Sequence, residues 1–451
     1  MTDVSRRFFL GGLFGSVALA GCKSAPVAAL PQPKLRLGLL SDLHLCSEDG
    51  DFNKFGDATM FRKALEWFRD QGVDGVVIAG DMADNGMTAQ LRKVAQAWNR
   101  VFPDDKAPDG RHVEKLFVYG NHDLEGWCYD GYDKRFFDKE SFERGKIGAD
   151  PAKAWETVFK EPYSPIWMKT VKGYQVIGAH WVNGKWEGVA GLEKWFEEHA
   201  SEIDRGKPFF FIQHAHPKDT CFGPNAWGHD AGYSTRALSA YPNAVAFSGH
   251  AHCTATDDRF IWQGAFTSIG LGSLRYGSED DVTNLFGKDV KTLNSERHWK
   301  TRQGMLLEVY DGEMVLSCRD FVRREQLREP VVIPLPVAEA KPFAFETRLK
   351  ESVAPRWPKD AAVTAVKEGD AWKLSFPAAR GRERVLAYEV TVTLPNGSKF
   401  TRIAIQPGFD LARHRAAKTV EVAVPAAEVA GDDPKFSVVP VNCYGKRGKA
   451  I

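Results

Sequence analysis

Six short apolar runs recur in the first half of the chain, at residues 35–40, 76–79, 116–119, 174–179, 209–213 and 244–248. Most are apolar at every position, as strands covered on both faces must be, and they predict buried strands. Between the first two, residues 57–70 carry Phe61, Leu65 and Phe68 at helical spacing, with Gly72 just past the end. Strands that alternate with helices in this way predict crossover units and a largely parallel sheet. Residues 305–309 and 314–318, joined through Tyr310-Asp311-Gly312-Glu313, predict a hairpin that closes this part of the chain.

Two long stretches break the alternation. Residues 126–163 are rich in Trp, Tyr, Phe and charge, and residues 275–302 are polar. Connections of this length are usually functional or mobile, so both read as rims of a cleft or as surface decoration. The texture changes again at Glu329-Pro330-Val331-Val332-Ile333-Pro334-Leu335-Pro336. Residues 329–342 therefore read as a Pro-rich linker behind a domain spanning 35–328. Beyond it, residues 388–394 run into Pro395-Asn396-Gly397, and residues 436–441 run into Asn442-Cys443-Tyr444-Gly445. These alternating segments and turns predict a β-sandwich of about 110 residues over 343–451.

The chain opens on a different pattern. Ser5-Arg6-Arg7-Phe8-Phe9-Leu10 is a twin-arginine signature, and the apolar stretch 8–20 is 13 residues long. A helix that spans a bilayer needs roughly 20, so the stretch reads as the core of an export signal. Leu19-Ala20-Gly21-Cys22 resembles a bacterial lipobox, with Cys22 acylated as the new N-terminus; an ordinary signal cleaved nearby is the alternative. Residues 1–22 are then an address and residues 23–34 a tether. The protein is expected to be exported to the periplasmic side and held at the membrane through lipid on Cys22.

Composition excludes several classes. Of 451 residues, 43% are hydrophobic and 26% charged, which fits a folded globular chain rather than a disordered or polytopic membrane one. The net charge is +1, and removal of residues 1–21 brings acids and bases to parity. This lacks the footprint of a dedicated nucleic-acid binder. Six cysteines follow Cys22, and in an oxidising compartment some are expected to pair. No CxxC occurs, which argues against a zinc ribbon or a thioredoxin-like site.

The polar residues sit where these strands end. Asp42 and His44 follow the first, Asp81 the second, Asn121-His122-Asp123 the third, His214 the fifth and His250-Ala251-His252 the sixth. In a parallel sheet the carboxyl ends of strands share one edge, and ligands bind there. Imidazole, carboxylate and one amide, without thiolate, suit zinc, iron, manganese or a similar ion. At least seven candidate ligands are too many for one tetrahedral site. A pair of ions about 3.5–4 Å apart accommodates them, as in phosphatases, nucleases and aminopeptidases.

Asp42-x-His44, Gly80-Asp81, Gly120-Asn121-His122-Asp123, His214 and Gly249-His250-x-His252 resemble, in order and type, the five blocks of the calcineurin-like metallophosphoesterase family, over roughly residues 35–320. The resemblance implies an α/β fold, a four-layer α/β/β/α sandwich whose two mixed sheets are flanked by helices. Residues 438–445 resemble the last strand of fibronectin type III modules, which makes the C-terminal all-β domain fibronectin III-like. The family further implies that Asp42, His44 and His252 hold one metal, that Asn121, His214 and His250 hold the other, and that Asp81 bridges them. Two divalent or trivalent ions (Mn, Fe or Zn) and a bridging hydroxide nucleophile would follow. His122, beside a ligand, would donate a proton to the leaving alkoxide, and Asp123 would orient and charge His122.

Three details refine this picture. The run Gly80-Asp81-Met82-Ala83-Asp84-Asn85-Gly86 resembles the cyclic-nucleotide-phosphodiesterase-like branch. Asp84 stands where purple acid phosphatases place a ligand Tyr, which disfavours that branch; Asp84 then supports a ligand or caps a turn. His216 stands where many relatives have Pro, so both His214 and His216 are open as the ligand of that block, with His214 nearer the strand end. His216 otherwise touches substrate, supports a ligand or lies on the surface. His180, His199, His229 and His298 have no such context and read as structural or exposed.

The expected function is metal-dependent hydrolysis of a small phosphomonoester or phosphodiester by an exported enzyme. The alternatives are a nuclease of the same family, disfavoured by the neutral charge, and a non-catalytic binding protein with a residual metal site, disfavoured by the complete ligand set. The C-terminal module braces the catalytic domain or binds glycan or protein.

Overall fold

The computed structural model describes residues 32–46, 58–129, 139–182, 191–278, 285–286, 291–294, 301–429 and 433–451. The export signal, Cys22 and most of the tether lie outside these residues, as do parts of both rim stretches. Among the described residues, no helix is long and apolar enough to cross a membrane.

The first part of the chain supplies strands β1 (Leu35–Leu40), β2 (Gly75–Ala79), β3 (Glu114–Val118), β4 (Ile166–Val171), β5 (Tyr174–Ala179), β6 (Phe209–Ile212), β7 (Ala244–Ser248), β8 (Ile261–Gln263), β9 (Thr267–Gly270), β10 (Gln303–Val309), β11 (Glu313–Asp320), β12 (Glu325–Gln326) and β13 (Val331–Pro334). They form two mixed sheets rather than one largely parallel one. The first runs β12-β11-β10-β1-β2-β3 with β13 also on β11, and the second runs β4-β5-β6-β7-β9-β8. Strands β1, β2 and β3 are parallel, as are β5, β6, β7 and β9. The hairpin β10–β11 forms as expected, and β10 lies antiparallel against β1, with Leu37 opposite Leu307. Continuous apolarity told only that both faces are covered. It did not say whether a helix or a second sheet covers them.

The packing answers that question. Leu37 and Leu39 of β1 and Val77 of β2 share a core with Phe210, Ile212, Val245 and Phe247 of the second sheet, so the sheets pack face to face. Val76, Ile78 and Phe117 point the other way, into helices α1 (Thr59–Gln71) and α2 (Thr88–Val101). Helix α1 buries Phe61, Ala64, Leu65 and Phe68 and stops at Gly72, which takes φ 71° and donates its N–H to Arg69. Gly38 lets α1 approach, since a Cβ there would lie 2.6 Å from the Phe68 ring. Ile177, Phe209, Phe211 and Ala246 of the second sheet face Leu192, Phe196 and Leu238 from two short helices.

The run expected as a linker is partly a strand. Val331–Pro334 pairs with β11, and Val331 and Ile333 are buried while Val332 is exposed. Val331, Val332 and Ile333 are all apolar, so the alternation shows only in the burial, and the flanking prolines masked the strand. Beyond it come β14 (Thr364–Glu368), β15 (Ala371–Pro377), β16 (Val385–Thr393), β17 (Lys399–Ile405), β18 (Thr419–Pro425) and β19 (Lys435–Asn442). They form two antiparallel three-stranded sheets, β14-β15-β18 and β17-β16-β19. Leu374, Phe376, Val390, Val392, Val420, Val422 and Val438 fill the space between these sheets.

This strand-rich region docks on the first through polar contacts. Thr256 Oγ1 donates to Phe409 O, Gln303 Nε2 to Asp410 O at 3.2 Å, and Arg384 N to Asp258 Oδ2 at 2.9 Å. The expectation that some cysteines pair is not met. Cys46, Cys128, Cys221, Cys253, Cys318 and Cys443 are all free thiols.

Candidate metal centre

The carboxyl ends of β1, β2, β3, β6 and β7 meet at one edge, although they come from two sheets. The loops there are held in a conformation that side chains rarely adopt. Asp42, His44, Asp81, His250 and His252 have φ of 55°, 45°, 53°, 65° and 54°. Left-handed backbone at a non-glycine residue costs on the order of 1–3 kcal/mol and persists only where the surroundings enforce it. Backbone hydrogen bonds supply part of that enforcement: Asp42 N donates to Gly80 O at 3.1 Å and His44 N to Asp81 O at 2.9 Å.

The glycines of the motif make room for these side chains. A Cβ on Gly80 would lie 2.3 Å from the His214 ring, one on Gly120 2.2 Å from Asp81 Oδ1, and one on Gly249 2.3 Å from Asp42 Oδ2. Each glycine precedes one candidate ligand and accommodates another.

The side chains converge in two groups that share Asp81. In the first, Asp42, His44, Asp81 and His252 bring one atom each within 4.8 Å of the others. His252 Nε2 lies 2.9 Å from Asp42 Oδ1 and 3.1 Å from His44 Nε2, and His44 Nε2 lies 3.5 Å from Asp81 Oδ2. In the second, Asp81, His214 and His250 do the same. His214 Nε2 lies 3.0 Å from Asp81 Oδ2 and 3.2 Å from His250 Nδ1. Asn121 joins from the side: its Nδ2 donates to the Tyr129 hydroxyl at 3.3 Å, and its buried Oδ1 has no partner among the described residues.

Neighbouring groups fix how the rings are turned. His44 Nδ1 donates to Asp84 Oδ1 at 3.0 Å, and His214 Nδ1 donates to Ala79 O at 2.7 Å. Each leaves Nε2 facing the cluster, the arrangement that outer groups impose on metal-binding imidazoles. Burial opposes the charge on Asp42, but His252 and His214 outweigh it and hold the carboxyl at about 2. Asp81 is likewise held well below its usual range by His214 and His122 despite burial. Burial and His122 push His44 down to about 4, and burial and His214 push His250 down to about 3. Burial also opposes a charge on His214, yet Asp81 and Asp42 lift it to about 9.

This donor set fits metal ions. Two ionised carboxylates, imidazole nitrogens that face one another at 3.1 Å and a sealed amide oxygen without a partner among the described residues converge on one place, and borderline ions take such ligands. A cleft of about 380 Å³ opens onto them. Trp181, Trp227, Tyr129 and Tyr276 line its walls with Arg275.

Residues 35–254 match the family model of the calcineurin-like phosphoesterases. Over these residues the chain is similar to the calcineurin-like phosphoesterases. It is a hydrolase acting on phosphoester bonds. No curated protein matches the chain. Two solved structures are similar to it: a conserved uncharacterized protein, a predicted phosphoesterase, from Streptococcus pneumoniae TIGR4, and vacuolar protein sorting 29 from Cryptosporidium parvum. The first is 12% identical over 66% of this chain and 97% of its own, with a TM-score of 0.28. The second is 10% identical over 67% and 97%, with a TM-score of 0.30. At these scores the likeness carries no weight for fold or function.

Two residues of the phosphoesterase domain differ from expectation. Asp123 does not orient His122. Its carboxylate accepts from the backbone of Gly120 at 2.8 Å, Met82 at 3.3 Å and Ala83 at 2.7 Å, and so ties the loop after β3 to the loop after β2. Burial and the nearby Asp81 lift it to about 7. The partner of His122 is Asp84, whose backbone oxygen accepts from His122 Nδ1 at 2.8 Å. His216 does not reach the cleft. It is buried, with Nδ1 2.6 Å from Ser248 Oγ and its ring edge-on to Phe222.

Asp84 has a larger place than its neighbours. Its carboxylate takes His44 Nδ1 and also Arg275 Nη1, while its backbone oxygen takes His122. The sequence reading missed Arg275 and the four rings of the cleft, because it asked strand ends only for metal-capable side chains. Trp181 follows β5 by two residues, and Arg275 and Tyr276 follow β9 by five and six, so strand ends carried a signal for these three, whereas Tyr129 and Trp227 lie far from any strand end.

Proposed function

We propose that the protein is a dinuclear metallophosphoesterase that hydrolyses a small phosphomonoester or phosphodiester. The observation that carries this reading is the sharing of Asp81 by two ligand groups, one with Asp42, His44 and His252 and the other with His214 and His250. Asn121 completes the second group through Oδ1. Ions of the manganese, iron or zinc kind held there would neutralise the charge on the ester and lower the pKa of bound water towards about 7.

The remaining work falls to the chain. The strained loops and their glycines hold the ligands in place before substrate arrives, which preorganisation rewards at the transition state. His122 lines the cleft without belonging to the shared groups of Asp81. Its Nδ1–H is held by Asp84 O, so Nε2 is the atom available to give a proton to the leaving oxygen, a contribution of about 10²–10⁴-fold. Asp84 orients both this acid and the ligand His44. The aromatic walls limit the bulk that fits around the phosphoryl group.

The address at residues 1–22 supports an exported enzyme anchored through Cys22. The two three-stranded sheets over 343–451 are compatible with a fibronectin III-like brace. The test is a phosphoester panel on chelated and reloaded protein, comparing bis(p-nitrophenyl) phosphate with p-nitrophenyl phosphate. Activity that vanishes on chelation and returns with manganese, iron or zinc is expected. Turnover that survives complete metal removal would overturn the reading.

A further inference from the structure

Far from the ligand cluster in sequence, the strand-rich region meets the phosphoesterase domain along a seam with excess positive charge. Within the strand-rich region beside that seam, a hollow of about 430 Å³ is lined by Arg380, Arg384, Arg413 and Lys418, with Glu383 as the acidic residue of its lining. That carboxylate is already engaged. Oε1 accepts from Arg382 Nε at 2.7 Å and Oε2 from Val353 N at 3.0 Å. A second hollow shares Arg384, Arg413 and His414 with the first and adds Arg328 and Arg382. Its Asp258 is paired with Arg328 at 2.9 Å.

Arg384 forms the floor. It is only 6% exposed, and its Nη2 donates to the carbonyls of Gly408, Phe409 and Leu411 at 3.2, 2.8 and 2.6 Å. Among the described residues, no carboxylate makes an ion pair with this guanidinium and Nη1 finds no acceptor. Its buried Nε has no partner either. Burial and the neighbouring Arg413 pull its pKa down to about 10. Asp258 and Asp410 favour its charge, but burial and the second cation beside it outweigh them. Arg380 and Lys418 stand exposed at the rim and make no side-chain ion pair among the described residues.

We propose that the first hollow is a binding site for a small oxyanion, a phosphate- or carboxylate-bearing molecule, held by Arg384 and by Arg380 and Lys418 at the rim. The guanidinium fork suits oxyanions. The hollow also falls within the roughly 300–1,000 Å³ of small-molecule sites. An anion there would offset the burial of the Arg384 charge and its repulsion with Arg413. The site lies on residues that the metal centre does not use, so it stands or falls independently of the proposed function.

The test is calorimetric titration of the full chain with inorganic phosphate in one arm and succinate in the other. Asp81→Asn protein serves as the background that disables the metal centre. Binding is expected to persist in Asp81→Asn and to weaken at least about tenfold when Arg380→Glu and Lys418→Glu are combined, since each removes a positive charge from the rim. Arg384→Met is expected to abolish it. Because Arg384 also ties three carbonyls, its thermal unfolding is measured alongside, and the rim pair keeps the test decisive if that variant misfolds. Preference between the arms assigns phosphate or carboxylate. Equal affinity in the parent and the rim pair, or no binding of either anion at concentrations on the order of 10 mM, would overturn the proposal.

Discussion

The loops at the ligand cluster and the loops of the C-terminal strand region bend the chain equally sharply but by different means. At the cluster, Asp42, His44, Asp81, His250 and His252 all carry left-handed backbone, at positions where a glycine would relax it. In residues 343–451, the positive φ values fall on Gly369, Gly397, Gly408 and Gly445, and on Asp360 as the non-glycine case. In residues 343–451 glycine, which bends without strain, supplies most of these positions. Turns that must present a carboxylate or an imidazole keep that side chain and bear the strain. Left-handed non-glycine residues also stand at Asp104, Lys160, Lys172 and Arg324, away from the cluster, so what distinguishes the ligand edge is that Asp42, His44, Asp81, His250 and His252 gather there.

Substitutions can break or sharpen that contrast. The largest effect is expected for Asp81→Asn, which removes the carboxylate shared by both groups. Metal content should fall by more than the roughly 100-fold that loss of a supporting group produces, and turnover with it. Elemental analysis that finds two ions in this variant would contradict the sharing. Gly80→Ala comes next. Its Cβ would land 2.3 Å from the His214 ring at φ 89°, so it should lose metal as well as stability.

His122→Ala should keep its metal and lose about 10²–10⁴-fold in kcat on alkyl esters, with a smaller loss on p-nitrophenyl esters that leave without help. Equal rates of variant and parent on an alkyl phosphodiester would remove His122 from the chemistry. Asp84→Asn should weaken metal affinity by about 10–100-fold through His44, read by competition with a chelator. The smallest effect belongs to Gly397→Ala. Its φ of 85° nearly equals that of Gly80, but nothing lies within 4 Å of the added Cβ. It should cost about 1–2 kcal/mol as a lower Tm, with activity unchanged.

The sequence made this edge more legible than the sheets beneath it. Asp42, His44, Asp81, Asn121, His214, His250 and His252 could be placed together because each stands just past an apolar run, and the chemistry of their side chains narrows what they can do. The division into two sheets was not legible from those runs, since Ile78 facing α1 and Val77 facing Phe247 are equally apolar. The partnership of Asp123 was misplaced for a related reason: adjacency to His122 in sequence says nothing about which backbone N–H groups a buried carboxylate finds. Strand β13 was hidden by Pro330, Pro334 and Pro336, and because Val332 is as apolar as Val331 and Ile333 although it alone of the three is exposed. The seam around Arg384 was invisible because its cations are spread from residue 380 to residue 418 without a pattern.

The most direct measurement is anomalous diffraction from crystals of the full chain grown with manganese or zinc. The account expects two peaks about 3.5–4 Å apart, one beside Asp42, His44 and His252, the other beside Asn121, His214 and His250, with Asp81 reaching both. A single peak, or peaks that leave Asp81 untouched, would contradict it.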